Sequence, residues 1–354
     1  MLAACARPAA VAPAPPARIA IVAAERGPSG ARLVAIDEHG NRMLEVVQPA
    51  ERIARDTNPA VSPDARWIVF ASSRGRALDE TSLWIAPLER EAVAVPLTHG
   101  AWIDAHPTWT PDGRAIVFAS TRGGAGYDLY RLAIDATGHA AGEPEQLTSA
   151  PGHEVTPSVA RDGAIYYAEV TPRPDKTIES QLERRAPDGS IARVSDGPGD
   201  SSPAISPDGK TLAFVRPVER ANHLVDAELW TMPVGGPESS EPVRVVDLPP
   251  TDEGGPVWSR DGRELFATSL LRGNDGKPVF SSVIVIDMAA PQRVARMLED
   301  RVGAIARLTP AIVAPSLDAA AIATDPEYVH ELARIVAAAI AKPESSVPGP
   351  EPAP

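Results

Sequence analysis

Five acidic residues occupy the same place in a repeated segment of this sequence, and carboxylates placed in that way can bind cations or basic groups. Each lies three residues before a proline, and together they are Asp56, Asp104, Glu154, Asp200 and Glu253. If these places converge, the carboxylates would form a ring that holds Ca²⁺ through oxygen ligands, or that receives a basic segment of a partner protein. The alternative is that each side chain caps backbone N–H groups of its own loop or of the adjacent repeat. The sixth equivalent position is Arg307.

Two histidines lie beside one of these acids and are candidates for binding a transition metal. His99, Asp104 and His106 fall within eight residues of sequence, and imidazole and carboxylate groups can bind zinc or manganese. The spacing matches no known metal signature, so a metal-dependent lyase or lactonase is kept only as an alternative function. The sequence has no Gly-x-Ser-x-Gly segment of the kind that serine hydrolases need. No catalytic residue is therefore assigned.

The tryptophans divide into one that is predicted to be exposed and five that are predicted to be buried. Trp102 lies in the loop between His99 and Asp104 and is a candidate contact for a partner. The others recur within or next to predicted strands, where large rings fill the space between neighbouring sheets. These five are Trp67, Trp84, Trp109, Trp230 and Trp258.

A repeated phrase positions all of these residues. It consists of a leading proline, a short strand, a turn such as Thr110-Pro111-Asp112-Gly113, and a second hydrophobic strand. In the turn, proline presets φ, aspartate bonds its own backbone and glycine takes the left-handed conformation. The leading prolines are Pro59, Pro107, Pro157, Pro203 and Pro256, separated by 48, 50, 46 and 53 residues. Such a period, with two more strands per repeat, is typical of the four-stranded antiparallel blades of a β-propeller. The acidic residues would then lie by the mouth of its central channel.

The two ends of the repeat region are predicted to close the ring. Residues 18–27 resemble the second strand of a blade, and residues 309–313 can supply the innermost strand that this blade lacks. The sequence therefore predicts an all-β, six-bladed β-propeller over residues 18–324, although residues 316–324 could instead form an extra strand. A short amphipathic helix is predicted over 325–342, packed on the propeller or docked on a partner. A Pro-rich disordered tail would follow over 343–354.

The amino-acid composition excludes some classes of binding partner for this protein. The 354 residues include 38 Pro and 26 Gly, which favours turn-rich β structure. A formal net charge of −13, without a cluster of Lys and Arg, argues against binding to nucleic acid. No apolar run reaches the roughly 18 residues of a membrane-spanning helix. We expect a monomer that contacts a membrane only through a lipid anchor.

The candidate for lipid attachment is Cys5, the single cysteine. The segment Leu2-Ala3-Ala4-Cys5 resembles the lipobox of bacterial lipoproteins, and residues 1–17 would include an Ala- and Pro-rich tether. Only four residues precede Cys5, so the basic and apolar regions of a signal peptide are missing. Either the start codon is assigned too late or the match arises by chance.

The repeats resemble the TolB-like family, whose propeller belongs to the Tol-Pal system of the cell envelope, and more broadly the propeller domains of prolyl oligopeptidases. The resemblance covers residues 18–324. It implies a non-catalytic binding or scaffolding propeller in the periplasm, or anchored to the outer membrane, that binds an envelope protein or peptide at the acidic channel mouth. Because one propeller scaffold carries many unrelated activities, the resemblance specifies the fold more closely than the function.

Overall fold

The computed structural model describes residues 19–27, 30–37, 42–50, 53–124, 126–173, 178–197, 199–219, 225–234, 241–246, 248, 251–272, 278–290, 293–297 and 307–312. Within these residues the protein is entirely β, with 24 strands. No helix in this part of the chain could cross a lipid bilayer. Cys5, the predicted tether, the predicted helix over 325–342 and the tail over 343–354 all lie outside the described residues.

The strands are short and follow one another in a regular order. The first twelve are β1 (Ile19–Gly27), β2 (Gly30–Asp37), β3 (Arg42–Glu45), β4 (Ala54–Val61), β5 (Trp67–Ser72), β6 (Ser82–Pro87), β7 (Val95–Pro96), β8 (Asp104–Trp109), β9 (Ala115–Ser120), β10 (Asp128–Ala133), β11 (Glu145–Gln146) and β12 (His153–Val159). The remaining twelve are β13 (Ile165–Pro172), β14 (Ile178–Arg185), β15 (Ile191–Arg193), β16 (Ser201–Ile205), β17 (Thr211–Glu219), β18 (Val225–Pro233), β19 (Val243–Arg244), β20 (Thr251–Trp258), β21 (Glu264–Arg272), β22 (Pro278–Asp287), β23 (Ala295–Met297) and β24 (Arg307–Ile312).

These strands form five sheets. Four sheets have four antiparallel strands each, in the orders β11-β10-β9-β8, β12-β13-β14-β15, β16-β17-β18-β19 and β20-β21-β22-β23. The fifth has eight strands, in the order β24-β1-β2-β4-β5-β6-β7, with β3 paired to β2. The first and last described strands are thus neighbours, because β24 pairs antiparallel with β1.

The prediction of six separate blades is wrong, whereas the predicted C-terminal helix lies outside the described residues. Counted as hydrogen-bonded sheets, the propeller has five blades, and the described residues include no helix. The difference arises because Gly30 and Ala31 of β2 pair in parallel with Ala54 and Arg55 of β4, which joins two groups of strands into one sheet. Gly30 has φ +113°, and a Cβ atom there would collide with the carbonyl of Ala54. Only glycine therefore fits this junction.

The innermost strands surround a common axis. Strands β4, β8, β12, β16, β20 and β24 contact one another in this cyclic order, with β24 also touching β4. The turn of the repeated phrase directly follows the inner strand. In one such turn, Gly113 donates its N–H to the carbonyl of Thr110 at 2.8 Å and has φ +69°. The turn prediction is confirmed. The two ends of the inner strands therefore lie at opposite faces of the molecule.

Two tryptophans tie neighbouring inner strands together. Nε1 of Trp109 in β8 donates to the carbonyl of Ala60 in β4 at 2.9 Å, and Nε1 of Trp258 in β20 donates to the carbonyl of Ala204 in β16 at 2.9 Å. Both rings are buried, as predicted. These bonds fix the spacing of adjacent inner strands, which an apolar ring of similar size would not do.

We expect Trp109→Phe to lower the free energy of unfolding by about 1 kcal/mol, because it removes the hydrogen bond between two inner strands while keeping most of the ring. Trp67→Phe is the matched control, since Nε1 of Trp67 is buried and has no hydrogen-bond partner in the described structure. Urea unfolding followed by circular dichroism measures both changes. Equal losses in the two variants would show that the bond to Ala60 contributes nothing specific.

Candidate binding site

The five predicted acidic residues lie together at one end of the ring of inner strands. Each lies within two residues of the start of its inner strand, and each is buried, with at most 3% of its surface exposed. We call this end the acidic face, defined by Asp56, Asp104, Glu154, Asp200 and Glu253. The structure therefore places all five at equivalent points of five consecutive inner strands, but inside the protein wall.

Three of these carboxylates form buried ion pairs with arginines. Arg74 Nη2 lies 2.5 Å from Asp56 Oδ2. Arg74 Nε is also 3.1 Å from Asp56 Oδ1. The other two pairs likewise bind through both carboxylate oxygens: Arg122 Nη2 is 2.8 and 2.9 Å from the oxygens of Asp104, and Arg216 Nε and Nη2 are each 2.7 Å from those of Asp200. The contact with Asp200 raises the pKa of Arg216. The charge of these three acids is therefore compensated within the fold.

Each of these arginines also stacks on aromatic rings. The guanidinium carbon of Arg122 is 5.1 Å from the ring centre of Phe118, and that of Arg216 is 5.2 Å from the ring centre of Phe214. Arg74 lies 5.9 Å from Phe70 in the same way. Each guanidinium group therefore lies between a carboxylate and the face of an aromatic ring. This favours a fixed orientation of the arginine and of the acidic side chain.

Sequence reasoning missed the arginines, although a signal for two of them was available. Ser72-Ser73-Arg74-Gly75 and Ser120-Thr121-Arg122-Gly123 share the pattern Ser-x-Arg-Gly at the end of the second strand of a blade. Arg216 lies within β17 and is not part of this pattern. In an antiparallel hairpin the end of the second strand faces the start of the first, so a cation at this place lies beside the acidic residue.

The other two carboxylates have threonine hydroxyls as hydrogen-bond donors. Thr148 Oγ1 donates to Glu154 Oε2 at 2.9 Å, and Thr251 Oγ1 donates to Glu253 Oε1 at 2.5 Å. Burial raises the pKa of Glu154 to about 8 and the pKa of Glu253 to about 8. Both side chains are therefore largely protonated at neutral pH. The acidic face thus differs electrostatically from a ring of five free carboxylates.

The two candidate metal-binding histidines lie in different environments. His99 is exposed, whereas His106 is buried in the wall of the ring, where burial lowers its pKa to about 3 and keeps the imidazole neutral. Within the described residues there is no group of three His, Cys, Asp or Glu side chains that could hold a metal ion.

A second set of polar residues directly follows the acidic level along the inner strands. Each member precedes a leading proline, has a positive φ between 47° and 55°, and sits in a bulge where the register with the next strand shifts; the non-glycine members are Asn58, His106, Thr156 and Ser202. The side-chain oxygens of Asn58, Thr156 and Ser202 are buried and have no hydrogen-bond partner in the described protein. Such oxygens can bond water, a polar group of a ligand, or a hard cation such as Ca²⁺.

Trp102 is an aromatic residue that reaches the solvent at the acidic face. It is 38% exposed, and its Nε1 donates to the carbonyl of His99 at 2.9 Å. One face of its ring lies 5.5 Å from the guanidinium carbon of Arg122, which Asp104 holds in place. The indole is therefore exposed but fixed in orientation.

Comparison with known proteins agrees with this architecture. A family model described as the TolB beta propeller domain matches residues 18–229, more than half of the chain. No curated protein sequence matches the chain.

Three solved structures show the same fold at low sequence identity. A protein assigned as TolB from Agrobacterium tumefaciens has a TM-score of 0.59 and 17% identity, covering 87% of this chain and 98% of that one. TolB from Acinetobacter baumannii has a TM-score of 0.54 and 16% identity, covering 82% of this chain and 65% of that one. Hydrazine synthase from Kuenenia stuttgartiensis has a TM-score of 0.63 and 13% identity, covering 85% and 47%. Proteins named as TolB and a synthase thus share this scaffold, and the matched family model carries the assignment: the chain belongs to the TolB β-propeller family.

Proposed function

We propose that this protein is a non-catalytic binding propeller of the bacterial cell envelope, which receives a segment of a partner protein at the acidic face. The observation that carries the proposal is the exposed and fixed ring of Trp102. Lipidation of Cys5 would hold the propeller at the membrane on the periplasmic side, so that its partner would be another envelope protein or a peptide from one.

The geometry around Trp102 supports a role in recognition. Aromatic residues contribute much of the binding energy at protein interfaces when they are held rigid, because little conformational entropy is lost on contact. Stacking on Arg122 and the bond to the carbonyl of His99 already restrict the indole in the free protein. A partner that covers Trp102 therefore gains apolar contact area without having to order the side chain.

The polar groups at this end of the ring would favour a hydrogen-bonding or basic partner segment. Glu154 and Glu253 lie at the same face as neutral acids, and a nearby lysine or arginine would favour their ionised form. Asn58, Thr156 and Ser202 add hydroxyl and amide groups without partners in the described protein. These oxygens would also be suitable ligands for a Ca²⁺ ion, the one cofactor that the proposal includes.

We expect a photoreactive amino acid at position 102 to give a discrete crosslinked product in the envelope of the native host. We also expect the Trp102→Ala variant, otherwise unchanged, to lose capture of the partner found in that product. Truncation of a central aromatic contact typically costs about 2 kcal/mol or more of binding free energy, which is roughly thirtyfold in affinity.

The matched control is Ile191, an exposed apolar residue on the outer strand β15. A photoreactive group at position 191 should give no discrete product, and Ile191→Ala should leave capture unchanged. Retained capture by Trp102→Ala, with an unchanged circular dichroism spectrum, would contradict the proposal.

A further inference from the structure

A cavity of about 180 Å³ lies at the end of the ring opposite the acidic face. Its walls include the last residue of each of five inner strands, namely Val61, Trp109, Val159, Ile205 and Trp258. Because these residues come from consecutive strands of the ring, the cavity lies on the axis of the propeller. We call this end the turn face, since the repeated turns follow directly from the same strands.

The walls of this cavity are suited to an apolar occupant. The Nε1 donors of Trp109 and Trp258 are not available to it, because each already donates to a backbone carbonyl. The rim adds the rings of three half-buried or exposed prolines of the repeated turns, namely Pro63, Pro111 and Pro207. Arg161 and Arg260 also line the rim and are exposed, so their charged groups can stay in contact with water. An apolar side chain therefore fits the cavity better than a polar one.

The sixth inner strand, β24, ends at the turn face. β24 is antiparallel to β1, β1 is antiparallel to β2, and β2 pairs in parallel with β4. β24 therefore runs in the same direction as β4, with Arg307 towards the acidic face and Ile312 towards the turn face. It also contacts β4 and β20, whose last residues, Val61 and Trp258, line the cavity. The chain after Ile312, which lies outside the described residues, thus starts beside the cavity.

The strand place next to β24 is already occupied. After each of the other five inner strands the chain turns back and forms the neighbouring strand of the same sheet, as β8 does with β9. Beside β24 this place is taken by β1, whose two edges pair with β24 and β2. The chain after Ile312 therefore leaves the sheet at the turn face.

The sequence that follows β24 is mostly apolar and contains a residue that can reach the cavity. Residues 313–324 read Val-Ala-Pro-Ser-Leu-Asp-Ala-Ala-Ala-Ile-Ala-Thr. Packed sheets lie about 10 Å apart, so the axis of a ring of six inner strands is about 10 Å from each strand. Five extended residues span up to about 16 Å, which brings Leu317 from Ile312 to the axis. Since an apolar cavity of about 150 Å³ can accommodate benzene, this cavity has room for a leucine side chain.

We propose that residues 313–324 form a lid over the turn face, with the side chain of Leu317 in the axial cavity. The leucine packs against the carbon surfaces of Trp109 and Trp258, and burial of its side chain stabilises the closed position. The channel of the propeller is then closed at the turn face, so that a partner reaches the axis from the acidic face. The lid does not depend on the function proposed for the acidic face.

Alkylation of a thiol in the cavity wall measures whether the lid is closed. The reporter is Val159→Cys in a full-length chain that also carries Cys5→Ser, which removes the single natural cysteine. We expect Leu317→Asp to raise the rate of reaction with iodoacetamide at least about tenfold, because burial of a leucine side chain favours the closed state by this factor or more. Ser316→Asp is the matched control and should leave the rate unchanged, since it adds the same charge but keeps the leucine.

A second thiol checks that these variants leave the fold unchanged. Ile191 is exposed on the outer strand β15. Ile191→Cys, in place of Val159→Cys, should therefore react at the same rate whether or not the chain carries Leu317→Asp.

A short bifunctional maleimide tests the location of the lid. Asp318→Cys combined with Arg161→Cys at the rim should give a crosslink within one chain. Asp318→Cys combined with Asp188→Cys should not, because Asp188 is exposed in the turn between β14 and β15 of the same sheet, away from the axis. Equal yields for the two pairs, or equal alkylation rates in Leu317→Asp and Ser316→Asp, would overturn the proposal. Crosslinks only between two chains would also overturn it, by assigning the cavity to a second copy of this chain.

Discussion

Replacing Asp104 with alanine is expected to lower the free energy of unfolding by about 3 kcal/mol, because it leaves the guanidinium of Arg122 buried without its carboxylate. In the native protein both oxygens of Asp104 accept from Arg122 Nη2, at 2.8 and 2.9 Å. The arginine cannot turn readily to solvent, since it lies among Trp102, Phe118 and Tyr130. Urea unfolding at neutral pH measures the change.

A surface ion pair provides the control for this experiment. Asp196 is 3.5 Å from Arg193 and its side chain is 97% exposed, so Asp196→Ala should cost less than about 0.5 kcal/mol. The double variant Asp104→Leu/Arg122→Met should recover much of the loss, because it removes both buried charges. A cost for Asp104→Ala no greater than that for Asp196→Ala would show that the pair is not structural.

The stability of the protein is expected to fall between pH 6.5 and pH 8.5, and Glu253→Gln is expected to reduce that fall. Burial raises the pKa of Glu253 to about 8, against an ordinary value of 4.5. A group whose pKa is raised in the folded state stabilises that state fully below its unfolded pKa, and the contribution is lost as pH rises through the folded pKa. The slope reaches about 1.4 kcal/mol per pH unit for one group.

The lower limit of this pH window excludes the range in which His106 and His153 affect the stability. Burial lowers the pKa of His106 to about 3 and also lowers the pKa of His153, so their effect on stability is confined to pH values below about 6.5. In Glu253→Gln the new amide oxygen would still accept from Thr251, but the side chain could not ionise. Urea unfolding at several pH values, with the exposed Glu89→Gln as the control, measures the slopes. If Glu253→Gln and the wild type lost stability equally, Glu253 would be ionised in the folded state.

The repeated phrase allowed the inner strands and their turns to be predicted because its signals are local. Proline, aspartate and glycine fix the backbone of the turn wherever they occur together, and Gly113 and Gly209 have the positive φ that the phrase requires. The alignment of repeats also placed the five acidic residues at one end of the ring. The local amino-acid sequence was sufficient to predict these features.

Other features depend on contacts between distant segments and could not be predicted in the same way. The merging of two strand groups into one sheet rests on Gly30 meeting Ala54, and a sequence period carries no information on that parallel pairing. The partners Arg74, Arg122 and Arg216 lie 16 to 18 residues from their acids, so the charge of the acidic face could not be judged from the acids alone. The neutral state of Glu154 follows from burial, which appears only in three dimensions.

The pairing of β24 with β1 also determines when the sheet that contains β1 can be completed during synthesis. Strand β1 emerges from the ribosome before the other described strands and must wait for Arg307–Ile312 before the hydrogen bonds on its axis-facing edge are satisfied. Until then, the nascent chain presents an unpaired strand edge of the kind on which other chains can dock. Chaperone capture and aggregation should therefore be greatest for chains released just before residue 307.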